Sequence, residues 1–263
     1  MNNNYPNPGI MIKNLIKKYG DFVAVNDITL TVETGKIFGF LGPNGAGKTT
    51  TIKILAGLLK PDSGDIIINS YDISKYPENC KFTTGYIPDR PFLYEKLTGI
   101  EFLKFIASLY SLSIEIFEKN TMYLMKLFDL YEWRDHLIES YSHGMRQKLI
   151  MTSVFMLETP MIIVDEPMVG LDPKSARIVK ELFKRHAMNG GSIFLSTHSL
   201  EIAEELCDEI AIILNGEIRI IGDMQSLRKE ASLHDSDLEE VFLQLTNTED
   251  LSKVISALKD MDM

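Results

Sequence analysis

A glycine-rich segment of eight residues constrains the fold more than any other feature of this sequence. It runs Gly42-Pro43-Asn44-Gly45-Ala46-Gly47-Lys48-Thr49 and matches the pattern G-x-x-x-x-G-K-[ST] at every position. The apolar run at 37–41 predicts a strand before it, and the pattern up to about residue 58 predicts a helix after it. Glycines at such a turn let backbone N–H groups face inward around a phosphate. The segment therefore predicts a strand–loop–helix unit that binds nucleotide phosphates.

Two acidic residues, Asp165 and Glu166, follow the apolar residues 161–164. Taken alone, they would fit the start of a solvated loop equally well. Ligands of open α/β sheets bind at the C-terminal edge of the strands, so we expect both acids to face the phosphate loop. Lys48 is then predicted to contact the β- and γ-phosphates, and Thr49 and Asp165 to ligate Mg²⁺. Glu166 is predicted to act as a general base toward water.

Strand and helix patterns alternate over most of the chain. Antiparallel β structure is expected over 10–36, and the turn Asn215-Gly216 predicts a hairpin between strands at 210–214 and 217–221. Further strands are predicted at 65–68, 161–164 and 192–196, with helices at 173–188 and 199–207. The middle third is helical in pattern and begins with a capping box at Thr98 and Glu101. These features predict an α/β fold with a parallel core, an antiparallel β subdomain and a helical insertion.

Composition excludes several classes of protein. The 263 residues include 27 basic and 37 acidic side chains, so the net charge of −10 disfavours a broad nucleic-acid interface. The two cysteines, Cys80 and Cys207, are too few for a disulfide framework or a zinc cluster and suit a reducing cytosol. The polar N-terminus lacks the pattern of a signal peptide, and no apolar run approaches the ~18 residues of a membrane span. We therefore expect a soluble, cytoplasmic chain.

Four more segments appear in a characteristic order. Residues 141–145 (Tyr-Ser-His-Gly-Met) are similar to the signature Leu-Ser-Gly-Gly-Gln, and residues 169–173 (Val-Gly-Leu-Asp-Pro) are similar to a D-loop. His198 ends a predicted strand, as a switch histidine does, and Tyr19 lies where an aromatic side chain stacks on adenine. With the phosphate loop and the acid pair, residues 10–222 resemble the nucleotide-binding subunit of ATP-binding cassette (ABC) transporters, which has a RecA-like parallel core.

The resemblance implies a site that binds ATP and Mg²⁺ and hydrolyses ATP. Glu166, Lys48 and His198 are the expected catalytic residues, and Thr49, Asp89 and Asp165 the expected metal ligands. The expected ATP-binding residues are Tyr19, Gly42, Pro43, Asn44, Gly45, Ala46, Gly47, Lys48, Thr49, Thr50, Ser142, Gly144 and Asp172. In the family, two subunits sandwich two ATP molecules, and the signature of one faces the phosphate loop of the other.

Two positions depart from the family pattern. Asp89 stands where glutamine is usual, which changes the reach and charge of a ligand near the metal. His143 stands where glycine is common, either as a solvated side chain or as a group that makes the contact with the second subunit sensitive to pH. Phe22 lies three residues after Tyr19, and the sequence leaves open which of the two stacks on the base.

Partners and domain limits also follow from the resemblance. We expect a separate membrane permease, a second ATP-binding subunit that is a copy of this chain, and no nucleic acid. The protein would lie on the cytoplasmic face of the cell membrane and serve an exporter of the drug-resistance type, with a substrate that the sequence does not specify. Expected segments are a tail (1–9), the ATPase domain (10–222) with a helical subdomain at about 90–158, and a mostly helical extension (223–263).

Three alternatives remain open on the sequence. The extension spaces Leu238, Val241, Phe242 and Leu245 for one helical face, which would pack either on its own domain or on the second subunit. A cassette ATPase that acts on ribosomes or DNA is one rival function, although the chain shows no second cassette, zinc motif or basic arm. A nucleotide-switched module without enzymatic activity is the other rival, and the intact Glu166 argues against it.

Overall fold

A computed structural model describes residues 9–230 together with Leu238, Phe242 and Leu243. The N-terminal half contains β1 (Ile10–Tyr19), β2 (Phe22–Val32), β3 (Ile37–Leu41), α1 (Lys48–Leu55), β4 (Ser63–Ile68), β5 (Tyr71–Asp72), α2 (Pro77–Phe82) and β6 (Thr84–Ile87). The insertion contains α3 (Gly99–Leu109), α4 (Ile114–Leu127) and α5 (His143–Phe155), with 3₁₀ turns at Tyr131–Trp133 and Ile138–Ser140. The remainder contains β7 (Met161–Asp165), α6 (Pro173–Met188), β8 (Ser192–Thr197), α7 (Leu200–Leu206), β9 (Glu209–Leu214), β10 (Glu217–Gly222) and α8 (Met224–Glu230).

A six-stranded sheet forms the centre of the molecule, in the order β10-β9-β3-β8-β7-β6. The five strands from β9 to β6 are mutually parallel, and β10 pairs antiparallel at one edge. Every residue of β3, β7 and β8 is buried, as expected for strands covered on both faces. The register places Leu41 beside Thr197 and Asp165 beside Ser196. The carboxyl ends of three strands therefore meet at one edge, and the predicted parallel core is confirmed.

The second sheet is antiparallel, in the order β2-β1-β4-β5. Ile28, Leu30 and Val32 of β2 are buried while the threonines between them are exposed, as expected for a strand with one buried face. These side chains share one core with Phe38 and Phe40 of the central sheet. The sheet holds the β1–β2 turn above the carboxyl edge of the parallel strands, where it borders the site described below.

The helical insertion begins at the predicted capping box. The Thr98 hydroxyl accepts from the Glu101 N–H, and the Glu101 carboxylate accepts from the Thr98 N–H at 2.8 Å. Helix α4 ends at Leu127, and Asp129 then takes a left-handed φ of 57°. The helix after the phosphate loop likewise ends at Leu55 rather than 58, and Gly57 adopts a φ of 68°.

The turn between β9 and β10 is the hairpin that the sequence predicts. Asn215 and Gly216 have φ values of 52° and 79° there, so the predicted two-residue turn is confirmed.

One residue of the C-terminal extension shows where the extension packs. Leu238 is fully buried and packs with Leu41, Ile212 and Leu227 of its own domain. At this residue the extension contacts its own chain; Val241 and Leu245 lie outside the described residues. None of the helices in the described part of the chain is long and apolar enough to cross a membrane.

Candidate active site

A cavity of about 400 Å³ opens at the carboxyl edge of the parallel strands. The phosphate loop lines it with Asn44, Gly45, Gly47, Lys48, Thr49 and Thr50. The other predicted residues at the cavity are Tyr19, Asp89, Asp165, Glu166 and His198. Residues from five separate regions of the chain therefore converge on one concave site. Gly42, Pro43 and Ala46 complete the loop without lining the cavity.

The phosphate loop is built against two neighbouring segments. A Cβ on Gly47, which has a φ of 105°, would come 2.4 Å from the Ala24 carbonyl oxygen, and a Cβ on Gly42 would come 2.3 Å from the Ile213 carbonyl oxygen. The Gly216 N–H donates to the Ala46 carbonyl at 3.0 Å. Gly45, with a φ of 82°, has no neighbouring atom within 4 Å of an added Cβ and so borders open space. The glycines thus allow close packing behind the loop and leave its front free for a phosphate.

Lys48 is the first residue of α1, and its side chain is largely buried where it lines the cavity. Its Nζ donates to the carbonyl oxygens of Gly42 at 2.6 Å and Pro43 at 3.1 Å. Burial lowers the pKa of Lys48, and the carboxylates of Glu166 and Asp165 oppose this shift. The lysine is therefore held by the loop at the position from which it can reach a phosphate.

The two acids occupy different environments. Asp165 is 3% exposed, and its Oδ1 accepts a hydrogen bond from the Ser196 hydroxyl of the neighbouring strand. Glu166 adopts a left-handed φ of 49°, and its N–H donates to the Ser196 carbonyl at 3.1 Å. A non-glycine residue in this conformation is strained, and such strain clusters at functional sites. The turn directs the Glu166 carboxylate into the cavity instead of along the strand.

Glu166 and His198 form a pair at the cavity wall. The Glu166 Oε1 lies 2.8 Å from the His198 Nδ1, and Thr197 donates to Oε2 at 3.4 Å. The His198 side chain is 58% exposed and that of Glu166 15% exposed. An imidazole bonded through Nδ1 leaves its Nε2 available to a third group. The pair therefore fits a carboxylate base that is oriented by a histidine.

The oxygen donors at the cavity fit a magnesium ion. Thr49, Asp89 and Asp165 all line it, and Mg²⁺ prefers such hard oxygen ligands. Among the described residues, no group of three or more His, Cys, Asp and Glu side chains converges to hold a metal alone. Mg²⁺ usually takes one or two protein ligands and completes its shell with phosphate oxygens and water.

Two aromatic rings stand at the mouth of the cavity. Tyr19 is 50% exposed and Phe22 is 62% exposed, and they face each other as paired residues of β1 and β2. Both line the cavity, so neither is a core residue. The Lys17 Nζ lies 5.8 Å from the centroid of the Tyr19 ring and 3.0 Å from Asp62 Oδ1. One face of Tyr19 is therefore occupied by a cation.

The signature segment does not line this cavity, and of the D-loop segment Val169 alone does. Ser142 caps α5 by accepting from the Met145 N–H at 3.3 Å, and Asp172 caps α6 by accepting from the Ser175 N–H at 2.9 Å. The two segments instead contact each other, because a Cβ on Gly144 would come 3.0 Å from the Gly170 carbonyl oxygen. Ser142, Gly144 and Asp172 were predicted to bind ATP, and within one chain they lie apart from the other predicted residues.

Sequence reasoning missed some residues of the site. Ala24 and Val169 line the cavity, and Ser196 holds Asp165 from behind. The signal for Ser196 was available, since a hydroxyl residue that ends a buried strand beside another strand's acid is placed to donate to it. Ala24 carries no such signal, because its place depends on how β2 packs against the loop.

Comparisons with known proteins agree with this geometry. A family model described as ABC transporter matches residues 25–169. A second, described as an AAA domain of a putative AbiEii toxin from a type IV toxin–antitoxin system, matches residues 135–204. The chain is 35% identical to the ABC-type transporter ATP-binding protein EcsA of Bacillus subtilis, over 90% of this chain and 96% of that protein.

Two further similarities were found. The linearmycin resistance ATP-binding protein LnrL of Bacillus subtilis is 35% identical, over 83% of this chain and 70% of that protein. A solved structure of the ATP-binding subunit of an ABC transporter is 36% identical and superposes with a TM-score of 0.87, covering 90% of this chain and 99% of that one. The sequence, the fold and the site thus agree, and the chain belongs to the ATP-binding subunits of ABC transporters, which bind and hydrolyse ATP.

Proposed function

We propose that this chain powers a separate membrane permease and works as a pair of identical copies with two ATP molecules between them. One observation carries this proposal. The phosphate loop, Asp165, Glu166 and His198 share one cavity, whereas Ser142, Gly144 and Asp172 lie outside it on the same chain. A single copy therefore presents a nucleotide site and, elsewhere, the segments that a nucleotide site of this family requires. Two copies related by a two-fold axis would complete each other.

The residues of the cavity account for the chemistry of hydrolysis. Backbone N–H groups of the loop and the N-terminus of α1 bind the phosphates, and Lys48 contributes a positive charge toward the γ-phosphate. Thr49, Asp165 and Asp89 are the proposed ligands of Mg²⁺, which would neutralise charge on the phosphate oxygens. Glu166 orients a water molecule and accepts its proton. His198 holds the Glu166 carboxylate through Nδ1 and presents its exposed ring toward the γ-phosphate.

An exposed aromatic surface next to the site is the proposed contact with the permease. Phe92 is 90% exposed and lies three residues after Asp89, a proposed metal ligand. Tyr94 is 60% exposed and packs edge-on against Phe105 of α3, with ring centroids 5.5 Å apart. Exposed apolar clusters of this kind mark sites where partner helices bind. The loop that carries Asp89 would then transmit the state of the nucleotide to the permease.

The proposed location is the cytoplasmic face of the cell membrane, through the permease. The proposed direction of transport is export, in line with the drug-resistance type that the sequence resembles and with the resistance named for LnrL. The transported substrate would be recognised by the permease. Nucleic acid is not a proposed partner, since the net charge of −10 opposes a phosphate backbone.

Light scattering on purified Glu166→Gln protein, with and without Mg·ATP, tests the proposal directly. Removing the base should stop hydrolysis and leave the paired state intact, because glutamine fills the same space and retains a hydrogen-bonding oxygen. We expect a monomer without nucleotide and a dimer with Mg·ATP. A Glu166→Gln/Lys48→Ala double variant is the matched control, and it should stay monomeric.

A Glu166→Gln protein that stays monomeric at saturating Mg·ATP would contradict the homodimer. A second measurement separates the transporter from its rivals. Purification of the tagged chain from membranes should recover a protein with transmembrane spans, whereas recovery with ribosomes or DNA would favour the first rival. ATP turnover that persists in the Glu166→Gln protein would show that Glu166 is not the general base.

A further inference from the structure

A second cavity, of about 380 Å³, lies between the helical insertion and the core. Side chains of α4 and α5 form its insertion side, and β7 and α6 form its core side. It shares no lining residue with the nucleotide cavity. Its volume falls within the range of about 300–1,000 Å³ that small-molecule sites occupy.

The base of this cavity is apolar. Leu124, Val154 and Ile162 are all buried and contribute to its lining. Phe155 and Leu182, both half-buried, complete the apolar part. A surface of this composition accommodates a hydrocarbon chain and offers it no hydrogen bonds.

The rim of the cavity is positively charged. Lys119 of α4 and Arg185 of α6 both line it and are exposed, and neither forms an ion pair with any carboxylate among the described residues. Glu158 is the single carboxylate of the lining. Two cations at the opening of one apolar cavity give it a local positive potential, which favours an anionic group there.

His186 also lines the cavity, and its Nε2 is buried without a hydrogen-bond partner among the described residues. Burial lowers the pKa of His186, so the imidazole is neutral at neutral pH. The positive charge of the rim therefore comes from Lys119 and Arg185.

We propose that this cavity binds a single-chain amphiphile with a carboxylate head, of the class of medium-chain fatty acids. The chain would lie on the apolar base, and the head group would pair with Lys119 and Arg185. The cavity spans the junction where the chain leaves the insertion and returns to the core, at Glu158, which has a φ of 52°. A bound molecule would contact both bodies at once. This site does not depend on the function proposed above.

Isothermal titration of decanoate into the full chain, with the nucleotide site filled by Mg·ADP, tests this proposal. We expect saturable binding of one decanoate per chain. The Lys119→Gln/Arg185→Gln double variant should weaken it by about tenfold or more, because two charge-assisted contacts are lost. Both substitutions are on the surface and should leave the fold intact. Decan-1-ol, which lacks the charge, and butyrate, which lacks the chain, should each bind about tenfold more weakly.

Arg177 provides the matched control, because it is an exposed arginine of the same helix that lies outside the cavity. Arg177→Gln should change decanoate affinity by less than about twofold. Equal affinity in the double variant and the wild type would overturn the proposal, as would absence of saturable decanoate binding below about 1 mM. In another outcome, the chain sediments with phosphatidylglycerol vesicles in a way that depends on Lys119 and Arg185, and binds no decanoate. That result would show that the rim contacts a membrane surface, and it would overturn the proposal too.

Discussion

The Asp165 carboxylate is held in place by one side-chain hydroxyl. Ser196 is fully buried and donates to the Asp165 Oδ1 from the adjacent strand. Replacing Ser196 with alanine removes this donor while the carboxylate stays at 3% exposure. We expect Ser196→Ala to lower the free energy of unfolding by about 1.5–3 kcal/mol, as for a hydrogen bond to a charged group. Urea denaturation measures this.

Ser108→Ala is the control for this substitution, because the Ser108 hydroxyl is exposed and donates at 2.7 Å to a carbonyl of its own helix. It should change the free energy of unfolding by less than about 0.5 kcal/mol. If Ser196→Ala lowers the free energy of unfolding no more than Ser108→Ala does, Asp165 is held in place by other groups.

The two aromatic residues at the cavity mouth are distinguishable by substitution. The cation of Lys17 covers one face of Tyr19 and leaves the other for an adenine ring, whereas no cation lies over Phe22 among the described residues. We expect Tyr19→Ala to weaken ATP binding by roughly tenfold, since base stacking contributes about 1–3 kcal/mol. Phe22→Ala should weaken it less than about threefold. Titration with a fluorescent ATP analogue measures both, and the reverse ranking would make Phe22 the stacking residue.

Elements with a local start signal were predictable from sequence. Thr98, Ser142, Asp172 and Ser199 each cap the helix that follows, and each is a residue type that prefers that position. The two-residue strand β5 and the six-residue α2 were not predicted. Both are too short to carry a periodic pattern. Strand β5 pairs with β4, and α2 packs against β5 and β6.

The start of α6 is expected to respond to acid. Hydrogen bonds from Ser175 and the charge of Lys148, 2.9 Å away, hold the pKa of Asp172 well below its usual range. A carboxyl with a lowered pKa stabilises the fold above the unfolded pKa of about 3.9, and this contribution is lost as the pH falls below that value. Asp172→Ala should therefore cost about 1 kcal/mol at pH 7, and the difference from wild type should shrink below about pH 4.

Urea denaturation at a series of pH values measures this difference. Asp172→Asn separates its two parts, because asparagine retains the cap and loses the charge that pairs with Lys148. At pH 7 it should lower the free energy of unfolding less than Asp172→Ala does. If the difference in free energy of unfolding between wild type and Asp172→Ala stays constant from pH 7 to 3, the carboxylate charge contributes nothing to stability.

At the scale of the whole molecule, the sequence predicts the parallel core, and the residues proposed for the nucleotide site converge because of that core. Lys48, Asp165 and His198 end or follow buried strands, and parallel strands bring their carboxyl ends together. The cavity between insertion and core was not predicted. Leu124 and Ile162 lie 38 positions apart in sequence, and their meeting depends on how the insertion packs against the core.

Mixing two inactive variants tests whether sites form between copies. Consider a pair formed by one Lys48→Ala copy and one Ser142→Arg copy. Loop and signature of each site come from different copies, so one composite site carries both defects and the other carries none. With random pairing and independent sites, we expect ATP turnover of about a quarter of the wild-type rate from an equal mixture. Each variant alone should be inactive. Phosphate release measures the rate.

Lys48→Ala mixed with Glu166→Gln is the matched control. Both residues line the cavity of the same copy, so no mixed pair contains an intact site. This mixture should remain inactive. Equal ATP turnover in the two mixtures would contradict the proposal that each site is shared between two copies.

The phosphate loop is held by backbone contacts with its own chain. The Gly216 N–H holds the Ala46 carbonyl at 3.0 Å, the Asn26 N–H holds the Gly216 carbonyl at 2.8 Å, and Gly47 packs against Ala24. The ordering of this loop is therefore completed during folding. In stopped-flow mixing, ADP should associate in a single phase whose rate rises linearly with concentration, whereas saturation of the rate would reveal a slow rearrangement. The lifetime of the bound nucleotide, more than its rate of capture, then sets how long each copy is ready to pair.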